Sequence, residues 1–331
     1  MPRQSRINVP GALHHIMVRG INGQRIFRDN KDRSEFIVRL EKSLKKSGCG
    51  CYAWSLMPNH YHLLIQSGSE GISGLMRVLQ TGYAVYFNRR HKRRGYLFQN
   101  RYKSVLCQEE PYFLELVRYV HLNPLRGKVV RDLKELERYE WSGHGEILKG
   151  NGKSWQGVGE VLGRFGKRVS DARKRYREFV REGVGVELDR RLEGGGLVRS
   201  MGSWRSVLDN RRRGIRWMSD ERILGDDGFV NEVLSQADEK LEKQEKMRRA
   251  GWDMDRLAEA VAEFFEIEKE DLSSKGRNRR MALARAVFAY YACEELGETG
   301  VSVATVLGLS RTAVTKAIVR GKPYAGKIQI S

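Results

Sequence analysis

The first 150 residues of this chain alternate apolar segments of strand length with amphipathic segments of helix length, and this order limits the folds available to them. The predicted elements are strands at 12–19, 51–56, 61–66 and 102–108, and helices at 29–48, at 71–88 and from Glu109 onward. The Met57-Pro58-Asn59 segment separates the second and third strands and has turn chemistry, which predicts a hairpin. We expect an α+β fold with helices on an antiparallel sheet.

The rest of the 331-residue chain differs in composition. Residues 151–250 are rich in arginine and glycine and show only short helical patterns, which predicts a basic extension or linker. Residues 251–331 return to strong periodicity and are entirely helical in pattern. We therefore predict three parts, with boundaries near residues 150 and 250.

The charge balance points to a polyanionic partner. Lysine and arginine number 61 against 41 aspartates and glutamates, a formal net charge of +20, and nucleic acid is the commonest partner of such a protein. No segment reaches the roughly 18–20 apolar residues of a membrane-spanning helix, and the sequence opens without a secretory signal. Four scattered cysteines are too few for a disulfide framework, so we expect a cytoplasmic protein.

A strongly basic stretch follows the second predicted helix and contains no acidic residue between positions 89 and 104. Aromatic residues are interleaved with the cations, as a groove for single-stranded nucleic acid requires, because cations bind phosphates and rings stack on bases. A merely solvated surface is the alternative. The candidate contacts are Arg89, Arg90, Arg93, Arg94, Arg101 and Lys103, and the interleaved rings are Tyr96, Phe98 and Tyr102.

His60 and His62 flank Tyr61 at the start of a predicted strand. Because side chains alternate faces along a strand, the two imidazoles project to the same side, about 7 Å apart, and Tyr61 projects to the other. Two imidazoles at this spacing can bind one divalent metal ion. A chance His-x-His pair is the alternative. The adjacent His14 and His15 face opposite ways, which makes them a poor site.

Tyr119 and Asn123 lie four residues apart near the end of the third predicted helix, which places a phenol and a carboxamide on one side. A phenolic oxygen can attack phosphorus when a metal polarises the phosphate. An amide oxygen is an acceptable ligand for Mg²⁺ or Mn²⁺. Two points oppose this interpretation: an isolated tyrosine usually serves packing, and Pro124 disfavours helical geometry at Asn123.

Together these motifs resemble the single-tyrosine HUH transposases, and among them the REP-associated tyrosine transposases. The resemblance covers about residues 5–150 and is carried by His60-Tyr61-His62, by Arg101-Tyr102-Lys103-Ser104, and by Tyr119 with Asn123-Pro124. It implies a ferredoxin-like domain with Mg²⁺ or Mn²⁺ held by His60, His62 and Asn123. Tyr119 would then attack single-stranded DNA at a hairpin or repeat end, which leaves a 5′-phosphotyrosine link and a free 3′-hydroxyl.

The same resemblance implies a transposase that cleaves and transfers DNA strands in the cytoplasm, at the bacterial nucleoid. Arg101 and Lys103 become candidates to steady phosphates, on charge and proximity in sequence alone. A monomer and a homodimer that shares its sites are both open.

The last part of the chain fits a helix-turn-helix pattern, in which Gly308 marks the turn and Ser310 caps the second helix. It resembles the DNA-binding domain of the replication initiator DnaA, which implies duplex binding. An ordinary helical bundle is the alternative. The candidate DNA contacts on the second helix are Arg311, Thr312, Thr315 and Lys316.

Three other functions compete with a transposase. A rolling-circle replication protein or relaxase uses the same histidines and tyrosine, but the chain has no helicase P-loop motif. A domesticated regulator would hold structured DNA without cutting it. An RNA-binding protein would fit the charge but leaves the histidines and Tyr119 unexplained.

Overall fold

The structure is a computed structural model that describes residues 7, 9–69, 71–150, 153–186, 192, 220, 222–274, 278–324 and 326–327. Within its helices, the side chains at 237–243, 245, 311 and 312 are not described. The chain divides into two compact parts, residues 1–233 and 234–331. No helix among the described residues is long and apolar enough to cross a membrane.

The first part is built on a sheet. Its described strands are β1 (Leu13–Arg19), β2 (Gly50–Met57), β3 (His60–Gln66), β4 (Lys103–Cys107) and β5 (Ile223–Leu224). They lie in the order β2-β3-β1-β4-β5, and every neighbouring pair is antiparallel except the short pair β4–β5. The first four strands and two intervening helices therefore have ferredoxin-like topology, and the predicted α+β class is confirmed.

One face of the sheet is covered by α1 (Asn30–Ser47) and α2 (Ser73–Arg90). Asp29 caps α1 by accepting a hydrogen bond from the Asp32 amide at 3.1 Å, and Gly48 ends it in the left-handed conformation, with φ 65°. Large side chains fill the core on this face: Phe27, Phe36, Trp54, Tyr61, Tyr83 and Phe87. Tyr61, Leu63 and Ile65 pack one face of β3 into this core.

The opposite face packs against a second group of helices. These are α3 (Glu109–Arg126), α4 (Leu133–Arg138), α5 (His144–Lys149), α6 (Val158–Gly163) and α7 (Val169–Glu182). Their shared core includes Leu64, Val105, Leu116, Val120, Val161 and Tyr176. The helix that carries Tyr119 is thus fixed on the face of the sheet opposite to α1 and α2.

Helices α6 and α7 fall inside the stretch predicted to be an extension. In α7 the buried residues Ala172, Tyr176 and Val180 recur every four residues on an otherwise charged helix. So narrow an apolar stripe gives a weak signal in the sequence. These residues nevertheless pack into the core that α3 to α7 form against the sheet. The predicted boundaries at 150 and 250 stay predictions.

A buried polar network ties α3 to α5 and α7. The Tyr176 hydroxyl lies 2.8 Å from Nδ1 of His121 and 2.7 Å from Nδ1 of His144. Burial lowers the pKa of His144 to about 3 and that of His121 well below its usual value, so both rings are neutral at pH 7. The hydroxyl can donate to one ring and accept from the other.

The second part is all-helical in its described residues, which confirms the predicted class. A long helix, α8 (Asp227–Arg249), leads into α9 (Met254–Phe265), α10 (Arg279–Tyr290), α11 (Gly300–Val306) and α12 (Arg311–Gly321). A π-helical turn, Tyr291–Glu295, extends α10, and 3₁₀ turns occur at Lys269–Leu272 and Lys322–Tyr324. In the first part, a further 3₁₀ turn occurs at Ile21–Gly23.

The turn between α11 and α12 has the predicted chemistry. Gly308 adopts the left-handed conformation with φ 61°, which disfavours any residue that carries a Cβ. Ser310 caps α12, and its hydroxyl accepts a hydrogen bond from the Ala313 amide at 3.2 Å. Both predictions are confirmed.

We expect Gly321→Ala to destabilise the helical part. A Cβ at this position would lie 2.1 Å from the carbonyl oxygen of Ala286 on α10, so the two helices would have to separate. Overpacking of this kind costs about 1–3 kcal/mol. Gly300→Ala, at the first residue of α11 with open space around it, is the matched control and should be neutral or slightly stabilising. Denaturant unfolding followed by circular dichroism measures both, and equal unfolding midpoints would contradict the prediction.

Candidate active site

The two histidines of the dyad lie at the start of β3, where the strand leaves its turn. Their ring centroids are 5.2 Å apart and their planes meet at 81°. Tyr61 between them projects to the other face, where it is fully buried against Phe36 at a centroid distance of 4.6 Å. The alternation of a strand thus delivers both imidazoles to one side of the sheet.

Hydrogen bonds determine which nitrogen of His60 carries its proton. The Asn59 Nδ2 group donates to the Gly23 carbonyl at 3.2 Å, so Asn59 Oδ1 is turned toward His60. Nδ1 of His60 lies 2.7 Å from that oxygen, which can only accept. His60 therefore donates from Nδ1, and in the neutral ring Nε2 keeps its lone pair.

His62 is buried and has a third histidine as its partner. Nδ1 of His62 lies 3.0 Å from Nε2 of His15 on β1, and the two rings stack with centroids 5.2 Å apart. Burial, and then the neighbouring His15 and His60, hold the pKa of His62 well below its usual value.

Sequence reasoning set His15 aside because it is adjacent to His14. The two side chains do face opposite ways, so each of them lies on a different face of the sheet. His14 contacts Ser104 with its Nδ1 3.1 Å from the hydroxyl. Only the pairing of β1 with β3 places His15 on the face of the dyad.

Tyr119 packs edge-on against the same histidines. Its ring centroid lies 5.8 Å from that of His62 and 5.4 Å from that of His15, and only 3% of the residue is exposed. The tyrosine predicted from the end of a helix and the histidines predicted from a strand are therefore neighbours.

Asn123 is helical, contrary to the expectation drawn from Pro124. Helix α3 continues to Arg126 with Pro124 inside it, and the Asn123 carbonyl accepts from the Gly127 amide at 2.8 Å. The proline falls in the last turn, where the missing amide removes only one bond from a helix that packing already holds. The side-chain Nδ2 of Asn123 donates to the Tyr119 carbonyl at 3.1 Å, which leaves Oδ1 as its acceptor.

Arg126 is a site residue that sequence reasoning missed. Its guanidinium lies 5.8 Å from the centroid of the Tyr119 ring and donates to the Gly183 carbonyl at 3.2 Å. Burial lowers the pKa of Arg126, and Tyr119 opposes that shift. Arg126 lies seven residues, or about two helical turns, after Tyr119, and this spacing was the signal available in the sequence.

A cleft of about 470 Å³ opens beside the dyad. Antiparallel pairing places Arg19 opposite His60, and Lys103 opposite Met17. The cleft lining includes Arg19, His60, His62, Gln99, Arg101 and Lys103. Arg101 and Lys103, chosen on charge and sequence proximity, thus line the same cleft as the histidines.

The donor set fits a divalent metal ion at the dyad. Among the described residues, no three His, Cys, Asp or Glu side chains form a metal-binding group. The amide oxygen of Asn123 has the right chemistry for a third protein ligand. His60 has Nε2 on the side of its ring away from Asn59, and His62 has Nε2 on the side of its ring away from His15.

The predicted cations of the basic stretch differ in their surroundings. Arg89, Arg94, Arg101 and Lys103 are exposed, and the partly buried Arg93 lies over the Phe87 ring at 5.7 Å.

Arg90 is engaged within the fold. Its guanidinium pairs with Asp29 at 2.7 Å and with the fully buried Asp32 at 2.5 Å. The hydrogen bond from Arg90 lowers the pKa of Asp29 to about 2.

The three interleaved rings also differ. Phe98 is half-buried against Tyr61, and Tyr102 is buried with its hydroxyl 3.3 Å from that of Ser73. Tyr96 is 84% exposed. It alone of the three presents a ring to solvent.

Tyr96 lies in a loop that is hydrogen-bonded to the chain at the end of β1. The next residue, Leu97, accepts from the Ile21 amide at 3.0 Å, and the Gln99 amide donates to the Arg19 carbonyl at 3.0 Å. These bonds attach the loop that carries Tyr96 to the strand end that lines the cleft.

In the helical part, Thr315 and Lys316 are exposed on α12. Arg311 and Thr312 begin the same helix, and their side chains lie outside the described part of the structure. The fold thus presents the second half of the predicted contact set to solvent.

Two stretches of the chain match known protein families. Residues 8–123 match the family model described as transposase IS200 like. Residues 254–320 match the model described as bacterial DnaA protein helix-turn-helix. Both resemblances predicted from the motifs are confirmed for these residues.

A solved structure of the REP-associated tyrosine transposase bound to a REP hairpin is similar to this chain at 16% identity. The similarity covers 45% of this chain and 87% of that one, with a TM-score of 0.38. No curated protein matches the sequence.

We expect Arg90→Ala to weaken the fold more than it weakens nucleic-acid binding, because it leaves the buried Asp32 carboxylate with His91 as its remaining side-chain partner. The adjacent Arg89→Ala is the matched control: Arg89 is exposed, so its loss should leave the melting temperature unchanged. Thermal unfolding and DNA affinity are measured for both variants. Equal melting temperatures would show that the Arg90 pairs contribute little to stability.

Proposed function

We propose that the N-terminal domain is a transposase that cuts and rejoins single-stranded DNA at hairpin or repeat ends. The observation that carries this is the packing of Tyr119 against His62 beside a cleft lined by cations. The match of residues 8–123 to the IS200-like transposases supports the same reaction class. The solved REP transposase, by its description, is bound to a hairpin, and we extend that substrate class to this chain.

In this proposal Tyr119 is the nucleophile. Its phenolic oxygen forms a bond to phosphorus as the bond from phosphorus to the 3′-oxygen breaks, which leaves a 5′-phosphotyrosine and a 3′-hydroxyl. The phenol loses its proton and the departing 3′-oxygen gains one. The positive charge of Arg126 beside the ring offsets the negative charge that develops on the phenolic oxygen during the attack. A 3′-hydroxyl that attacks the phosphotyrosine reverses the reaction and joins strands.

The remaining site residues bind and orient. His60, His62 and Asn123 would hold Mg²⁺ or Mn²⁺, which when bound polarises the scissile phosphate and offsets its charge. Arg19, Arg101 and Lys103 attract the neighbouring phosphates to the cleft. Because Tyr119 is 3% exposed, the nucleophile must become accessible when DNA binds.

The C-terminal domain binds duplex DNA in this proposal. Its match to the DnaA helix-turn-helix and the exposed Thr315 and Lys316 on α12 support a recognition helix in the major groove. The protein then acts where the bacterial chromosome lies, in the cytoplasm.

We expect a covalent complex between Tyr119 and DNA. The protein is incubated with Mn²⁺ and 3′-labelled single-stranded DNA from the flanks of its own gene, and a denaturing gel detects labelled protein. The band should disappear with EDTA and in Tyr119→Phe, which lacks the nucleophilic oxygen. Tyr112→Phe removes an oxygen from the same helix and should keep the band.

A band that persists in Tyr119→Phe would assign the nucleophile elsewhere. No band with any variant, despite tight binding in EDTA, would favour a regulator that holds DNA without cutting it, which the burial of Tyr119 also accommodates.

We expect Tyr96→Ala to weaken single-stranded DNA binding, because its exposed ring can stack on a base. Loss of one base–aromatic stack costs about 1–3 kcal/mol. Val85→Ala removes an exposed apolar side chain from α2 and serves as the control, with no change expected. Fluorescence anisotropy in EDTA measures affinity without cleavage. Equal affinities of the Tyr96 variant and the unaltered protein would exclude the stacking role.

A further inference from the structure

His15 takes part in a chain of two hydrogen bonds that ends at the dyad. Its Nδ1 lies 2.6 Å from the carbonyl oxygen of Leu192, and its Nε2 lies 3.0 Å from Nδ1 of His62. His15 is fully buried and His62 is nearly so. Leu192 is distant in sequence, so only the tertiary fold brings these three groups together.

The hydrogen bond from His15 to the Leu192 carbonyl determines which atom donates in the bond between His15 and His62. A carbonyl oxygen can only accept, so Nδ1 of His15 carries a hydrogen. In a neutral ring the other nitrogen, Nε2, then holds a lone pair and accepts from Nδ1 of His62. His62 must therefore carry its hydrogen on Nδ1, and its Nε2 is left as a lone pair.

The alternative arrangement requires a charge in a buried place. If His15 carried hydrogens on both nitrogens, His62 would have to accept at Nδ1 and carry its hydrogen on Nε2. Burial disfavours the imidazolium form of either ring.

We propose that His15 is a positioning residue that holds His62 in the tautomer with hydrogen on Nδ1 and a lone pair on Nε2. His15 does not bind metal itself; it acts through His62, as the outer partner of a metal-ligating histidine commonly does. The Asn59 amide does the same for His60, so each member of the dyad has its own orienting partner. The role of Nε2 as a metal ligand rests on the proposed function, whereas the tautomer belongs to the metal-free protein.

The test is the tautomer itself, read from long-range ¹H–¹⁵N NMR correlations of the histidine side chains in the metal-free, full-length protein. The His62 signals are assigned from their absence in His62→Gln. In the unaltered protein, Nδ1 of His62 should show the shift of a protonated nitrogen and Nε2 that of an unprotonated one. The opposite pattern would overturn the proposal.

Two substitutions at His15 separate positioning from packing. His15→Leu fills the space but offers no acceptor, so His62 should lose its single tautomer. His15→Gln offers a side-chain oxygen near the place of Nε2 and should restore it. His14→Gln, a buried histidine on the other face of β1, should leave His62 unchanged. If His62 keeps its tautomer in a folded His15→Leu protein, the proposal is wrong.

Mn²⁺ binding by calorimetry, without DNA, gives a second readout. His15→Leu should weaken affinity by about 10- to 100-fold, and His15→Gln should bind Mn²⁺ more tightly than His15→Leu does. Should His15→Leu fail to fold, a folded His15→Gln protein that has lost the tautomer would also overturn the proposal. A correct tautomer in a protein that never forms the DNA adduct would instead refute the proposed function and leave the positioning role standing.

Discussion

Backbone hydrogen bonds between β1 and β3 hold Arg19 opposite His60 and Met17 opposite His62, and the candidate site depends on this register. Because side chains alternate along a strand, a slip by one residue would turn His15 into the opposite core and bring His14 to the dyad. Burial of large side chains on both faces of the sheet opposes such a slip. Strand β1 also pairs with β4 on its other edge, and this pairing brings Lys103 to the cleft.

Helix α3 places Tyr119 beside the histidines, and the position of α3 depends on residues distant in sequence. Tyr176 of α7 binds His121, which lies between Tyr119 and Asn123 on α3. Arg126 at the end of α3 donates to the Gly183 carbonyl just after α7. The segment that looks like an extension in the sequence therefore orients the helix that carries Tyr119.

The basic stretch shows how one run of cations divides between folding and binding. Arg90 neutralises the buried Asp32 and so supports the start of α1. Arg89 and Arg94 stay exposed, and Tyr96 presents its ring to solvent. Exposure, rather than charge density alone, separates the groups that can meet a phosphate or a base from those the fold already uses.

The sequence by itself determined the element order, the dyad on one side of a strand, the cap at Ser310 and the turn at Gly308, because each follows from local backbone geometry. Its motifs also indicated the resemblance to two families, which the matches of residues 8–123 and 254–320 confirm. The pairing of β1 with β3 and β4, the contact of His15 with His62 and the contact of Arg126 with Tyr119 were decided only by tertiary structure. These depend on which distant segments meet: Leu192 reaches His15 across 177 positions, and no local period encodes such a contact.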